Sequence, residues 1–102
     1  MAYEVLVGLN VLDDQLYQDY RAAMKPILAT YGGGFGYDFK VSEVLLPESG
    51  QDINRVFTIY FRDSAAMDGF FANPEYLEVK AKYFENSVGS TTIISSYEKN
   101  TE

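Results

Sequence analysis

Arg55-Val56-Phe57-Thr58-Ile59-Tyr60-Phe61-Arg62 reads as a β-strand with bulk on both faces. Successive side chains of a strand alternate, so Phe57, Ile59 and Phe61 fall on one side and Val56, Thr58 and Tyr60 on the other. One face can bury against helices of the same chain. The second needs another cover, and a chain of 102 residues has few elements left to supply it. The simplest cover is the equivalent sheet of a second copy. Arginine placed on that face, as in Thr58→Arg, is then expected to split the assembly.

Upstream, residues 3–11 alternate as well, with Tyr3, Val5, Val7, Leu9 and Val11 on one face, giving a first strand. Asp13 or Asp14 caps the helix that follows. Leu16, Tyr20, Met24, Ile27 and Tyr31 form its buried stripe, Pro26 is expected to kink it, and Gly32 or Gly33 ends it in the left-handed conformation. The run Gly32-Gly33-Gly34 is not a phosphate loop, because such a loop precedes a helix and this one follows it. Phe35, Tyr37, Phe39 and Val41 then alternate with Gly36, Asp38, Lys40 and Ser42 in a second strand that runs to about Leu46. Residues 47–52 make a polar connection to the third strand.

Beyond the third strand, Asp63 or Ser64 opens a short helix carrying Ala66, Met67, Phe70 and Phe71. Asn73-Pro74 stops it and starts another, with Asn73 as cap and Pro74 at the first helical position. This helix is predicted over residues 75–86, burying Leu77, Ala81 and Phe84 and exposing Lys80, Lys82 and Glu85. Gly89 releases the chain into a last strand over residues 90–97. A single domain over 1–98 with a polar tail, 99–102, results.

The order β-α-β-β-α-β is the ferredoxin-like arrangement, an α+β fold with a four-stranded antiparallel sheet and helices on one face. If odd-numbered residues of the first three strands meet the helices, the opposite face carries Leu6, Gly8, Asn10, Gly36, Asp38, Lys40, Val56, Thr58, Tyr60 and Arg62. That mixture is too bulky for a solvated sheet and suits sheet-to-sheet pairing in a homodimer.

Fifteen acids against eight bases give a net charge of −7, which disfavours nucleic acid and anionic membranes as partners. No run of ~18 apolar residues and no basic leader is present, so the chain reads as cytoplasmic. Without Cys there are no disulfides or thiolate chemistry. Without His the usual general base, the His-dependent triads and the commonest metal ligand are gone. No metal or other cofactor is expected.

Four motifs in order, Tyr31-Gly32-Gly33, Glu43-Val44-Leu45, Arg55-Val56 leading to Phe61, and Asn73-Pro74-Glu75-Tyr76, resemble the family called domain of unknown function 1330. The resemblance spans residues 3–98 and departs from the family's common pattern at Asp38-Phe39-Lys40 and at Leu46. It implies a dimeric α/β barrel, in which two ferredoxin-like sheets pair with the helices outside. It implies no activity.

Two groups of side chains are candidates for a site. Asp38 and Lys40, joined by Tyr60 and Arg62 from the neighbouring strand, form a polar cluster able to hold a small anionic or hydroxylated ligand, or else a charge network at the dimer interface. Asn10 and Thr58 share that face, and Tyr76 completes the candidate binding set. Tyr60 and Asp38 are the proton-handling candidates if there is catalysis. The second group is Tyr17, Tyr20, Arg21 and Tyr76, on helix faces that could line a cavity above the sheet. In that group Tyr20 is expected in the core, Arg21 at the surface, and Tyr76 as a pin for its helix. The leading expectation is a homodimer binding a small, partly aromatic or anionic molecule in an internal cavity. The alternatives are a cofactor-independent monooxygenase or isomerase, and a purely structural subunit.

Overall fold

The protein's structure, a computed structural model, describes residues 2–100. Strand β1 (Ala2–Val11) leads through helix α1 (Asp14–Ala29) to β2 (Gly34–Lys40) and β3 (Arg55–Phe61). Helices α2 (Ser64–Ala72) and α3 (Pro74–Val79) follow. A π-helical turn (Lys80–Phe84) and the single turn α4 (Glu85–Ser87) then carry the chain into β4 (Val88–Lys99). The strands form one antiparallel sheet in the order β2-β3-β1-β4. This is the ferredoxin-like topology. No helix among the described residues is long and apolar enough to cross a membrane.

Capping chemistry sets the helix ends. Asp13 accepts a hydrogen bond from the Leu16 amide, and Asp63 does the same for Ala66. Asn73 accepts from the amides of Glu75 and Tyr76, with Pro74 in the first turn. Gly32, at φ 67°, closes α1 in the left-handed region. Helix α1 runs on through Pro26 to Ala29.

Val5, Val7, Leu9, Val11, Phe57, Ile59 and Phe61 bury in one core with Tyr17, Tyr20, Met24, Leu28, Phe70 and Tyr76. The odd-numbered face of β1 and β3 therefore meets the helices. On α1 the buried residues are Tyr17, Tyr20, Arg21, Met24 and Leu28, which turns the helix about one residue from the expected stripe: Leu16 and Ile27 are half-buried at its edge. Apolarity alone pointed to Leu16, but a Tyr and an Arg with long apolar bodies fill the space better.

The largest departure from simple alternation lies in β2. Phe35 stands opposite Ile59 and Asp38 opposite Phe57, so Gly36 and Tyr37 together face Thr58. This is a β-bulge, and it moves every later side chain of the strand to the other face. Asp38 and Lys40 turn to the helix side. Tyr37 and Phe39 stack on the outer side, with ring centroids 5.4 Å apart. The Thr58 hydroxyl stabilises the bulge by accepting from the Tyr37 amide at 2.7 Å. Gly36 leaves room for it, since a Cβ there would lie 2.5 Å from that oxygen. Gly36→Ala is expected to push the hydroxyl off Tyr37 and lower stability by about 1–3 kcal/mol. An unchanged urea midpoint would mean that Thr58 rotates aside without loss.

Strand β2 ends at Lys40, short of the expected Leu46, and residues 41–54 cross the outer face instead. Ile53 packs on Gly8 there, and a Cβ on Gly8 would come within 2.9 Å of it. Asn54 fixes the return: its side-chain amide accepts from the Val11 N–H at 2.8 Å and donates to the Val11 carbonyl at 2.9 Å. A side chain thus replaces the next rung of the ladder. At the other end β4 continues to Lys99, paired with Ala2, so the first residue of the expected tail is strand. Thr101 and Glu102 lie outside the described residues.

Candidate functional site

Between the sheet and the helices lies a cavity of about 240 Å³. Its floor crosses all four strands, from Phe35 through Phe57, Ile59, Val7 and Leu9 to Thr91 and Ile93. Tyr17, Tyr20, Arg21 and Met24 of α1 cover it, with Phe71, Tyr76, Lys80 and Phe84 from the other helical segments. Leu9, Tyr17 and Met24 are buried, whereas Phe71 and Ile93 are exposed, so the mouth opens beside β4.

The π turn shapes this mouth. Tyr76, Lys80 and Phe84 are each four residues apart, and two such steps in an α-helix drift about 80° round the axis. The Glu85 amide donates to the carbonyl of Lys80, five residues back, and the wider turn takes up that drift. All three side chains therefore reach one cavity. The expected face of Leu77 and Ala81 is instead exposed, because the sequence-based expectation assumed regular α-helical spacing.

Arg21 dominates the inner end. It is only 9% exposed, contrary to the surface position expected for it. Its guanidinium carbon lies 3.8 Å from the Phe35 ring centroid and 4.6 Å from that of Phe57, a cation held over aromatic faces. Nε donates to the Tyr17 hydroxyl at 2.8 Å, and Nη1 donates to Asp38 at 3.3 Å. Asp38 also accepts two shorter bonds from Arg55, 2.7 and 2.8 Å. That fork holds the Asp38 carboxyl below its usual range, with Arg21 adding to the effect, against the opposing push of partial burial.

The sign of the resulting pH dependence follows from linkage. With the folded value depressed, the unfolded chain binds more protons in the carboxylate range. The contribution is therefore present at neutral pH and is lost as pH falls through the folded value. Asp38→Asn is expected to flatten the decline of urea stability below about pH 4. An unchanged slope would mean that other carboxylates carry it.

The buried tyrosines titrate in the opposite sense. The hydroxyls of Tyr20 and Tyr76 lie 2.8 Å apart, and burial raises both, as it does Tyr17. Their stabilising contribution is complete below about pH 10 and is lost as pH rises through the folded values. In an alkaline titration Tyr17, Tyr20 and Tyr76 are expected to ionise late, together with unfolding. Nine tyrosines titrating as one class would contradict this.

Of the candidate residues, Tyr76 lines the cavity, and Asp38 reaches it through Arg21. Lys40 shares the strand face of Asp38 but sits in a separate depression with Asp14, Asn54 and Arg55. Asn10, Thr58 and Tyr60 occupy the opposite face of the sheet, and Arg62 is exposed beyond the end of β3. The grouping of Asp38 and Lys40 with Tyr60 and Arg62 therefore does not form: the bulge separates them. Tyr17, Tyr20, Arg21 and Tyr76 do converge. Phe35 and Lys80 were not among the candidate site residues, and Lys80, expected to be exposed, is half-buried at the cavity.

Sheet order, antiparallel pairing and the helix-covered core define a ferredoxin-like α+β protein. The sequence matches the model of the domain of unknown function DUF1330 over residues 2–97, and the chain belongs to that family. No curated protein matches it in sequence. Among solved structures it is similar to a Rhodopseudomonas palustris protein of unknown function, with a TM-score of 0.80 and 15% identity over 99% of this chain and 84% of the other. A dimeric ferredoxin-like protein of unknown function from a Jannaschia species has a TM-score of 0.64 and 12% identity, covering 97% of this chain and all (100%) of that one. The hydroxynitrile lyase of Passiflora edulis has a TM-score of 0.63 and 16% identity, over 99% and 95% of the two chains. At such identities the likeness is one of fold.

Proposed function

We propose that the protein is a homodimer that holds a small, partly aromatic or anionic molecule in the cavity between helices and sheet. The cavity carries this reading. An apolar space of ~150 Å³ accommodates benzene, so one of about 240 Å³ has room for roughly ten non-hydrogen atoms. Its ring-lined walls suit a flat ligand. Pairing through the outer sheet face is supported by the exposed, stacked rings of Tyr37 and Phe39, and by the dimeric relative from Jannaschia.

Thermal unfolding with a panel of single-ring compounds tests the cavity. A ligand at a hundred times its dissociation constant stabilises the folded state by about 2.7 kcal/mol, a shift of several degrees for this size. If no ring compound at millimolar concentration raises the midpoint, the reading fails.

A second reading, a cofactor-independent monooxygenase or isomerase, draws support from the Tyr20–Tyr76 hydroxyl pair inside the cavity. The lyase of Passiflora shows an enzyme on this fold. Held neutral by burial, the pair suits donation of a hydrogen bond to a bound substrate rather than release of a proton. Asp38, committed to two arginines, suits a base poorly, and Tyr60 lies across the sheet from the cavity. Tyr76→Phe is expected to abolish turnover of a substrate while leaving its binding largely intact. Equal turnover would remove the pair from the mechanism. A purely structural subunit finds less support, because its interior would be filled.

A further inference from the structure

We infer that the cavity's occupant is a singly charged, ring-bearing carboxylate whose anionic end meets Nη2 of Arg21 and whose ring lies toward Val7, Leu9 and Met24. This deepens the small-molecule reading above and rests on it.

Donor accounting gives the first argument. Arg21 Nε is bound by Tyr17 and Nη1 by Asp38, while Nη2 is buried and has no hydrogen-bond partner among the described residues. A buried donor without an acceptor is costly, more so when charged. Phe35 and Phe57 hold the guanidinium in place, so it cannot swing out to water without losing both rings. Arg21 lies in the cavity wall, so an acceptor that enters and displaces the side chains covering Nη2 completes the set.

Charge gives the second. At the inner end two guanidinium groups, Arg21 and Arg55, share the carboxylate of Asp38, while Asp14 acts on Arg55 from further off, so a surplus of positive charge is left. Asp38 is engaged more closely by Arg55 than by Arg21, at 2.7 Å against 3.3 Å. The surplus therefore resides on Arg21, on the cavity wall. One negative charge neutralises it. A phosphate dianion would leave charge uncompensated among rings, and a neutral ligand would leave the surplus standing. Lys80, half-buried at the rim, adds a cation on the way in although the chain as a whole carries −7.

Calorimetric titration with benzoate and with benzamide, which differ little in shape and by one charge, tests the assignment on the 102-residue chain. Benzoate is expected to bind at least tenfold more tightly. Arg21→Met should abolish that preference while benzamide still binds. Should Arg21→Met fail to fold, Asp38→Asn serves instead: with the surplus raised, benzoate should bind several-fold more tightly and benzamide unchanged. Equal or weaker binding of benzoate by the native protein overturns the inference but leaves the cavity reading standing. A preference that survives in Arg21→Met, or a benzoate affinity unmoved by Asp38→Asn, also overturns it, because the anion is then held elsewhere. Binding of neither probe removes both readings.

Discussion

Truncating Phe70 to alanine is expected to lower the unfolding free energy by about 3–5 kcal/mol. Its ring is fully buried and touches four others, those of Tyr31, Phe61, Phe71 and Tyr76, with the closest centroid at 4.3 Å. A domain of this size has about 5–15 kcal/mol in total, so the variant should be marginal at physiological temperature. Two of the lost neighbours, Phe71 and Tyr76, also line the cavity, and the damage should spread there. Equilibrium urea unfolding measures it. A loss below about 1 kcal/mol would mean that α2 and α3 close over the vacancy.

The second large effect concerns assembly. Replacing both Tyr37 and Phe39 by glutamate is expected to weaken self-association by at least about a hundredfold, the effect of removing two central aromatic anchors. In the single chain the two rings are 67% and 52% exposed, so the folded monomer should keep its stability. Sedimentation equilibrium over a dilution series reads both species. A dimer of unaltered dissociation constant places the interface elsewhere. Thr58, the residue that alternation singles out, is a poorer probe. It is 5% exposed and its hydroxyl holds the bulge, so Thr58→Arg would disturb the sheet before reporting on a partner.

The contrast between these residues marks what a sequence conveys. Element order, the cap at Asn73, and to within one residue the caps at Asp13 or Asp14 and Asp63 or Ser64 and the stop at Gly32 or Gly33 were legible, because each rests on local chemistry within a few residues. Two of the errors of orientation came from a change of period. The bulge at Gly36 and Tyr37 shifts a period of two by one step, and the π turn at Lys80–Phe84 stretches a period of 3.6. Neither leaves a strong compositional trace. Gly36 is small because of Thr58, a residue 22 positions later that sequence spacing does not tie to it. Arg21 was misplaced for a related reason. Its burial depends on Phe35, Phe57 and Asp38 arriving from two strands, and a charged residue on a helix otherwise belongs at the surface.

The bulge in β2 also divides responsibilities along one short stretch of chain. Position 38 governs the electric field at the inner end of the cavity, while its neighbours 37 and 39 set the aromatic character of the outer sheet surface. A descendant could exchange Asp38 for a neutral or basic residue and so change the field in the cavity without altering the outer sheet surface. The chemistry of the cavity and that of the outer surface can drift independently, although adjacent codons encode them.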